Sequence, residues 1–550
     1  MAPVLRLAGL ALAAGLVGCT LLLDTPEPRQ CTTTADCESR PALRNRVCAE
    51  GFCVNPQTAF TPVAADGGSG CVSTALCTQA NSNRPSRCPR TGEPCVPWET
   101  PDCPVVAGAW DNPNALVVGV LTPLSVLQHN KSLLKVPYIQ RYIRGVNLAM
   151  LELNESLGLG LSVGLDRRPL AVVHCDSWDD PAHADAMFDH LVDTVGAQAV
   201  IVTTAEDVAR VAEKAARKKI VLVSSDSQVK APDGPLVWRT QPPIAPEGKL
   251  AAWRVGQLET KIRADLDLAP SADIKVVSLA EGTATAKAFA ESFAASVTFN
   301  GKGALANGAS FVVVQAENPR DVTVDHIGYA QKIAAEHPHV IVVAMGQDFP
   351  TYYVRTIEDE WPVGAPRPYY VLSNLSHEVT PYAPVIGLDD ELRKRFSGTR
   401  PAISRELQAN VDAYVLRYRQ EYNNQAPDSN HSGYEAFYAL AYAMAAASQQ
   451  SMMDGPHIST GFESLVAGSL IDVGPGQAST ALGLLSAKGS IDLRGMWSTL
   501  DWDKLTREVH TDRTMFCFGR DGAGELFVDT DAGVSFSDAT GAVTGTYACP

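Results

Sequence analysis

The chain has 550 residues, of which 45% are hydrophobic, so it can form about two to four domains with sizeable apolar cores. Its formal net charge is −16 at pH 7, which argues against a nucleic-acid-binding protein and against a basic surface for anionic membranes. The composition alone indicates no ligand.

The first 18 residues are typical of an export signal. Arg6 is followed by an apolar stretch over residues 7–17, which is too short to span a bilayer. The stretch ends in LVGC, which resembles the bacterial lipobox and implies cleavage before Cys19 and diacylation of that cysteine. Because Thr20 follows, the resemblance implies an outer-membrane lipoprotein of the cell envelope, facing the periplasm or the cell surface. The alternative is an ordinary secretory signal with a chance cysteine.

A tether over residues 19–30 and a cysteine-rich spacer over residues 31–111 follow the signal. The spacer holds two groups of four cysteines, with 5, 10 and 4 residues between them in the first group and 5, 10 and 6 in the second. The groups are Cys31, Cys37, Cys48 and Cys53, then Cys71, Cys77, Cys88 and Cys95. We expect two disulfide knots, because such short segments lack an adequate apolar core. First-to-third with second-to-fourth pairing is one of three possibilities in each knot. Zinc is the alternative, but its closely spaced cysteine pairs are missing.

Four cysteines lie outside the two groups and Cys19. Cys517 and Cys549 are predicted to pair and to hold the C-terminal tail in place. Cys103 and Cys175 remain and could bridge the spacer to the main domain. A buried free thiol at Cys175 is the alternative to that bridge.

From about residue 112 the sequence alternates between apolar strands and amphipathic helices, which is typical of a doubly wound parallel sheet. Strands are predicted over residues 115–121 and 169–175, and helices over 138–153 and 182–195. A second alternating set begins at residue 274 and ends with a strand over 369–372. Two long helices, over 406–422 and 434–448, precede a tail rich in strands and turns.

Residues 200–227 show the pattern most clearly, as strand, helix and strand. Thr203 and Glu206 have capping-box spacing, and an apolar helix face is formed by Val208, Val211, Ala212 and Ala215. Hydroxyl side chains follow both strands: Thr203 and Thr204, then Ser224, Ser225 and Ser227. Ligands of open α/β sheets bind outside the carboxyl ends of the strands, and donors beside a helix N-terminus suit an anion. Capping of strand and helix ends by these hydroxyls is the alternative.

Over residues 113–530 the chain resembles the type I periplasmic binding protein family, in particular the receptors for branched-chain amino acids and amides. The resemblance lies in VVGVLTPLS, TTAED, SSDS, WRTQPPIAPEG, YEAFYALAYAMAAA and IDLRGMWSTLDWD, in this order. It implies an α/β fold of two Rossmann-like lobes with parallel sheets, joined by three crossings around a ligand-binding cleft. The first lobe is then expected over residues 112–240 and about 408–500, and the second over 241–407 and about 501–550.

The resemblance also implies ligand contacts on both lobes. On the first lobe the matching positions are Thr203, Thr204, Ser224 and Ser227, with Ser225 and Asp226 beside them. On the second lobe, Asn374 falls where amino-acid receptors place an acid, and an amide cannot neutralise an ammonium group. Glu281 and Gln347 are further strand-end candidates. The departure at Asn374 argues against an α-amino acid as the ligand.

The sequence contains no motif typical of a catalytic centre. His174 and Asp176 flank Cys175, but adjacent strand positions point to opposite faces, which argues against a Cys/His nucleophile. No catalytic residue, metal site or cofactor is therefore predicted.

These features together predict a lipid-anchored extracytoplasmic solute-binding protein. It would close two lobes on a small polar or anionic ligand of the amino-acid or amide-like class. The ligand would be delivered to a transporter, with an ABC permease as partner, or its presence would be signalled. The alternative is an interaction or regulatory lipoprotein of the envelope that uses the same fold with a degenerate cleft.

Overall fold

The computed structural model describes residues 33, 35, 47–49, 52–54, 70–89, 91–127, 133–135, 139–156, 161–163, 166–225, 228–229, 234–317, 324–346, 348–387, 389–427, 431–448, 453–529 and 532–549. The predicted signal and the tether lie outside these residues. So do six of the predicted positions: Cys19, Cys31, Cys37, Asp226, Ser227 and Gln347. Within the described ranges, no helix combines the length and the apolar character needed to cross a bilayer.

The cysteine-rich spacer contains small elements, and disulfides hold those of its second cysteine group. Its elements are β1 (Val47–Ala49), β2 (Phe52–Val54), α1 (Thr74–Ala80), β3 (Ser86–Arg87) and β4 (Val96–Pro97). β1 pairs with β2, and Cys48 lies opposite Cys53 in that hairpin. In the second group, Cys71 bonds to Cys88 and Cys77 to Cys95, which is the first-to-third and second-to-fourth pattern. These bonds use the thiols that zinc would need, so the zinc alternative is wrong for this group. The pairing in the first group falls outside the described residues.

The first lobe is built on a six-stranded sheet. Its strands are β5 (Val105–Gly108), β6 (Leu116–Thr122), β7 (Leu170–Asp176), β8 (Ala199–Val202), β9 (Val221–Ser224) and β10 (Val237–Arg239). The spatial order is β10-β9-β8-β6-β7-β5, with β5 antiparallel to β7 and the other strands parallel. Every residue of β6 and β7 is buried, as expected of strands covered on both faces.

The first lobe begins earlier than the predicted boundary at residue 112. β5 belongs to the predicted spacer, yet it pairs along the edge of β7, and Cys103 is bonded to Cys175 at the end of that strand. Trp98 is buried in the same apolar core. The physical reason is that β5 covers the backbone groups that the edge of β7 would otherwise expose.

Helices cover both faces of the first sheet. They are α2 (Ile139–Ser156), α3 (Pro181–Asp189), which continues as a π-turn over His190–Val195, and α4 (Ala205–Lys218). Alternate residues of β6 point to opposite cores: Val118 packs towards α2, whereas Val117 packs towards α3 and α4. Two short hairpins complete this part, Ser125–Leu127 with Leu133–Lys135 and Leu161–Val163 with Asp166–Arg168.

The second lobe contains α5 (Ala245–Asp265), β11 (Val276–Ala280), α6 (Ala284–Ser296), β12 (Phe311–Gln315), α7 (His326–Ala335), β13 (Val340–Ala344), α8 (Arg355–Glu360), β14 (Tyr369–Leu372), α9 (Ala383–Ile386), α10 (Asp390–Arg393) and β15 (Phe396–Pro401). A hairpin of Thr298–Phe299 with Lys302–Gly303 follows α6, and a π-turn over Phe349–Val354 precedes α8. The five strands β11 to β15 are parallel to one another.

The chain then returns to the first lobe before it finishes in the second. The returning elements are α11 (Arg405–Glu421), α12 (Ser432–Ser448), α13 (Gly455–Phe462), β16 (Ser469–Asp472), α14 (Pro475–Ser486) and β17 (Ile491–Arg494). α12 is buried along nearly its whole length and packs on α2. The final strands are β18 (Arg513–Arg520), β19 (Leu526–Asp529), β20 (Val534–Phe536) and β21 (Val543–Gly545).

The final strands extend the second sheet to nine strands. Its order is β12-β11-β13-β14-β15-β18-β20-β21, and β19 also pairs with β18. β18 runs antiparallel to β15, and Cys517 on β18 is bonded to Cys549, which fixes the C-terminal tail. The architecture is therefore two α/β lobes with mostly parallel sheets, as the sequence predicts.

Three chain segments connect the lobes: residues 240–244, 402–404 and 510–512. The predicted boundary at about residue 501 is too early. Trp502 and Val509 pack in the core of the first lobe, where the Trp502 indole donates a hydrogen bond to the Arg239 carbonyl. The chain therefore reaches the second sheet only at β18.

Candidate functional site

The carboxyl ends of both sheets meet in the cleft between the lobes. Glu206, in the first turn of α4, accepts a hydrogen bond at 3.1 Å from the backbone N–H of Ala284, the first residue of α6. Gln228 of the first lobe accepts another, at 3.0 Å, from the side-chain amide of Asn374 after β14. These two contacts hold the lobes together in a closed arrangement.

Two of the predicted first-lobe hydroxyls are engaged within their own lobe. Thr204, and not Thr203, caps α4, because its Oγ1 accepts a hydrogen bond from the N–H of Asp207 at 3.1 Å. The predicted capping box of Thr203 with Glu206 is therefore wrong by one residue. Thr203 is buried, and its hydroxyl bonds to that of Thr122 at 3.0 Å. For Thr204 the capping alternative describes the geometry.

The serines after β9 differ from each other. Both are fully buried, but the Ser225 hydroxyl lies 2.6 Å from the Tyr142 hydroxyl, whereas the Ser224 hydroxyl has no hydrogen-bond partner in the described structure. The hydroxyl of Thr240 and the amide nitrogen of Gln241 are likewise buried without partners in that structure. Each buried polar atom without a hydrogen bond lowers the stability of a fold by about 1–3 kcal/mol. These three polar side chains at the ends of β9 and β10 therefore indicate a binding site for a polar ligand.

The second-lobe wall also carries a buried polar atom without a partner. Asn374 donates its backbone N–H to Glu247 at 3.1 Å, but its side-chain oxygen has no partner among the described residues, and neither does the hydroxyl of Ser373. Glu281 is fixed in its own lobe, because its carboxylate accepts hydrogen bonds from the N–H of Gly346 at 3.2 Å and the hydroxyl of Thr283 at 3.1 Å.

Arg400 lies at the carboxyl end of β15 and was not predicted from the sequence. Its side chain is half-buried, and the structure shows it no hydrogen bond or ion pair within the described ranges. Burial lowers the pKa of Arg400, and the Glu247 carboxylate acts in the opposite direction. Burial, and after it the positive charge of Arg400, lowers the pKa of both His377, in the second lobe, and His431, in the first. Arg400 therefore lies between the lobes.

His431 and Trp497 face Arg400 from the first lobe. Their rings stack with centroids 4.7 Å apart, and His431 is only 3% exposed. In the part of the chain described, both ring nitrogens of His431 and the indole nitrogen of Trp497 are buried and lack hydrogen-bond partners. Burial, followed by the charges of Arg400 and His377, lowers the pKa of His431 to about 3. The imidazole is thus neutral at pH 7 and offers one donor and one acceptor.

Glu435 positions this stacked pair. It lies in the first turn of α12 and accepts hydrogen bonds from the backbone N–H groups of Met496 and, at 3.2 Å, Trp497. Burial raises the pKa of Glu435 to about 8, so the carboxyl is protonated at neutral pH. The loop that carries Trp497 is therefore fixed to the helix that follows His431.

Glu247 joins the three connecting segments at the base of the cleft. It follows the first segment and accepts a hydrogen bond at 3.4 Å from the hydroxyl of Thr399, before the second. It also lies 3.9 Å from the guanidinium of Arg513, after the third, and Arg513 donates to the carbonyl of Pro243 at 2.6 Å. Burial raises the pKa of Glu247 to about 7. This cluster therefore lies where all three segments that connect the lobes come together, and we call it the hinge.

Comparison with solved structures identifies this arrangement. The leucine-binding protein LivK of Thermotoga maritima is 12% identical, with a TM-score of 0.52 over 77% of this chain and 99% of that one. A periplasmic binding protein type 1 from Bordetella pertussis is 15% identical, with a TM-score of 0.52 over 76% of this chain and 100% of that one. The chain has the type I periplasmic binding protein fold.

A third structure of this fold is a solute-binding protein of an ABC transporter from R. palustris, solved with benzoate. It is 16% identical, with a TM-score of 0.51 over 77% of this chain and 98% of that one. No protein-family model matches the sequence, and the search of curated proteins found no match. The resemblance predicted from the sequence is thus confirmed at the level of the type I periplasmic binding protein fold.

The Cys/His nucleophile and the free thiol are both excluded at Cys175. Its sulfur is bonded to Cys103, so it has no thiol to act as a nucleophile. His174 is fully buried, lies 2.9 Å from the Asn147 side chain through Nε2, and has its pKa lowered to about 3 by burial. These residues therefore belong to the core of this fold.

Proposed function

We propose that the protein is an extracytoplasmic solute-binding protein that closes its two lobes on a small polar or anionic ligand and is not an enzyme. One observation carries the proposal: both walls of the cleft present buried polar atoms without partners in the described structure, on Ser224 and Thr240 opposite Ser373 and Asn374. Hydrogen bonds from a ligand to these atoms would offset the free-energy cost of burying them.

Closure would couple binding to a change that a partner can recognise. The contacts of Glu206 with Ala284 and of Gln228 with Asn374 join the two lobes, so they exist only when the cleft is closed. A ligand that contacts both walls binds the closed state more tightly and shifts the population towards it. An ABC permease would recognise the closed lobes.

The fold also supports this proposal through its neighbours. One solved structure of the fold is a leucine-binding protein and another was solved with benzoate. We further propose that the chain is exported and anchored through lipid on Cys19 in the cell envelope, at the outer membrane. Detergent phase partitioning of the wild type and Cys19→Ser tests the anchor, since only the acylated form should enter the detergent phase.

A thermal-unfolding screen tests the proposed function. The panel contains amino acids, amides, sugars and organic acids, and a true ligand at 100 times its Kd should stabilise the protein by about 2.7 kcal/mol. Ser224→Ala should weaken binding of that ligand, whereas Ser490→Ala, at an exposed position, should not. If no compound in the panel stabilises the wild type, the receptor proposal is contradicted and the envelope interaction module becomes the better explanation.

A further inference from the structure

The guanidinium of Arg400, which has no hydrogen-bond or ion-pair partner among the described residues, points to a class of ligand. We propose that the ligand is a small organic acid without an ammonium group, and that Arg400 binds its carboxylate. This inference rests on the proposed function as a solute-binding protein. It assigns the second-lobe half of the site, for which the sequence provided only Asn374, Glu281 and Gln347.

The position of Arg400 follows from the strand that carries it. β15 is parallel to β14, with Gly398 opposite Leu372, so its carboxyl end lies at the same edge of the sheet as Ser373 and Asn374. The chain then passes through residues 402–404 into α11 of the first lobe. The side chain of Arg400 therefore begins at the cleft edge of the second lobe, next to a segment that connects the two lobes.

Within the described ranges, no acid forms an ion pair with Arg400. The charge of Glu247 acts on Arg400, but Glu247 already contacts Arg513, the hydroxyl of Thr399 and the N–H of Asn374. The carboxylate of Glu281 is occupied by two donors of its own lobe. A half-buried guanidinium with no partner in the described chain favours a carboxylate, which it can bind through two parallel hydrogen bonds.

The neighbouring groups suit an organic acid better than an amino acid. The indole N–H of Trp497 and one N–H of His431 are donors without partners among the described residues. They can bond to further oxygens of an acid, whereas an ammonium group beside Arg400 would meet a like charge. The amide of Asn374, where an acid is expected in amino-acid receptors, agrees with this assignment.

Calorimetric titration of the exported protein with matched acids and amides tests the inference. The probes are sodium benzoate and sodium succinate, the corresponding benzamide and succinamide, and leucine, all at equal ionic strength. One of the acids should bind, and its amide should bind far more weakly. Arg400→Gln should lower the affinity for the acid by about 10- to 100-fold. The affinity of Arg400→Lys should lie between those of the wild type and Arg400→Gln, because lysine keeps the charge but lacks the planar guanidinium. Arg405→Gln, an exposed arginine five residues later, is the matched control and should leave affinity unchanged.

The outcomes separate this inference from the proposed function. If leucine or an amide binds as tightly as the acid, or if a folded Arg400→Gln variant keeps the wild-type affinity, the inference is overturned while the receptor survives. If neither these probes nor the wider panel bind, both proposals fail. Unfolding curves of the free variants verify that each is folded.

Discussion

Glu435 is a buried carboxyl group whose proton matters for stability. Its pKa is about 8 in the folded protein against an ordinary 4.5, because burial disfavours the charged form. Below pH 4.5 the carboxyl is protonated in both the folded and the unfolded chain, so its full contribution to stability is present. As the pH rises from 4.5 to 8, the unfolded chain releases the proton first, and this contribution is lost.

Glu435→Gln should remove this pH dependence. The amide oxygen can accept the same hydrogen bonds from Met496 and Trp497 and carries no charge. Relative to the wild type, the variant should gain up to about 1.4 kcal/mol of unfolding free energy per pH unit between pH 4.5 and 8. Urea unfolding across this range measures the difference, with Glu463→Gln, at an exposed position, as control. Parallel curves for the wild type and Glu435→Gln would show that the carboxyl is ionised in the folded protein.

Residue types at strand ends predict which side chains lie at the site, but not which of them have hydrogen-bond partners. Ser224 could be predicted because it follows an apolar strand, yet only the structure shows that its hydroxyl is unpartnered in the described chain while that of Ser225 is not. Arg400 escaped prediction because β15, FSGTRP, contains glycine and proline and lacks a long apolar run. His431 could not be predicted as a site residue, because the Trp497 ring on which it stacks lies far away in the sequence.

Among the elements, the helix α4 is predicted from the sequence and also contacts the opposite lobe across the cleft. Its N-terminal turn holds Glu206, whose carboxylate accepts the N–H of Ala284 at the start of α6. Each N-terminus of a helix has unpaired N–H groups and a partial positive charge, so a carboxylate from the opposite lobe stabilises the closed form.

Glu206→Ala should therefore favour the open state. Losing one charge-assisted hydrogen bond across the cleft should lower the population of the closed state. The affinity for the ligand should therefore fall by about 3- to 10-fold. Calorimetry with the acid that binds the wild type measures this effect. Glu213→Ala, on the exposed face of the same helix, should bind like the wild type. Equal loss in both variants would attribute the effect to helix stability and not to closure.

Long apolar and amphipathic elements were predictable, and short edge elements were not. The strand Tyr369–Leu372 has the predicted bounds, and the helix Ser432–Ser448 begins two residues before its predicted start at residue 434, because apolar periodicity and strand length decide these elements locally. The sequence pattern places β5 in the spacer, because four residues at the edge of a sheet carry little periodicity. Its membership in the first sheet depends on β7, which lies far along the chain.

At the scale of the whole molecule, the described part of the second cysteine group is not independent of the first lobe. Trp98 is buried in the core that β6 and β7 share with α3 and α4, and the Cys103–Cys175 bond joins the spacer to the sheet. A spacer joined in this way fixes the first lobe relative to the second knot. Movement about the hinge would then displace the second lobe.

Small-angle X-ray scattering with and without ligand tests the central claim most directly. The claim is that a small organic acid closes the two lobes about the hinge at Glu247. With the acid that binds in calorimetry, the radius of gyration should fall, and the scattering curve should approach the one calculated from the closed arrangement described above. The corresponding amide should leave the curve unchanged. A scattering curve that stays the same when the acid saturates the protein would contradict the claim.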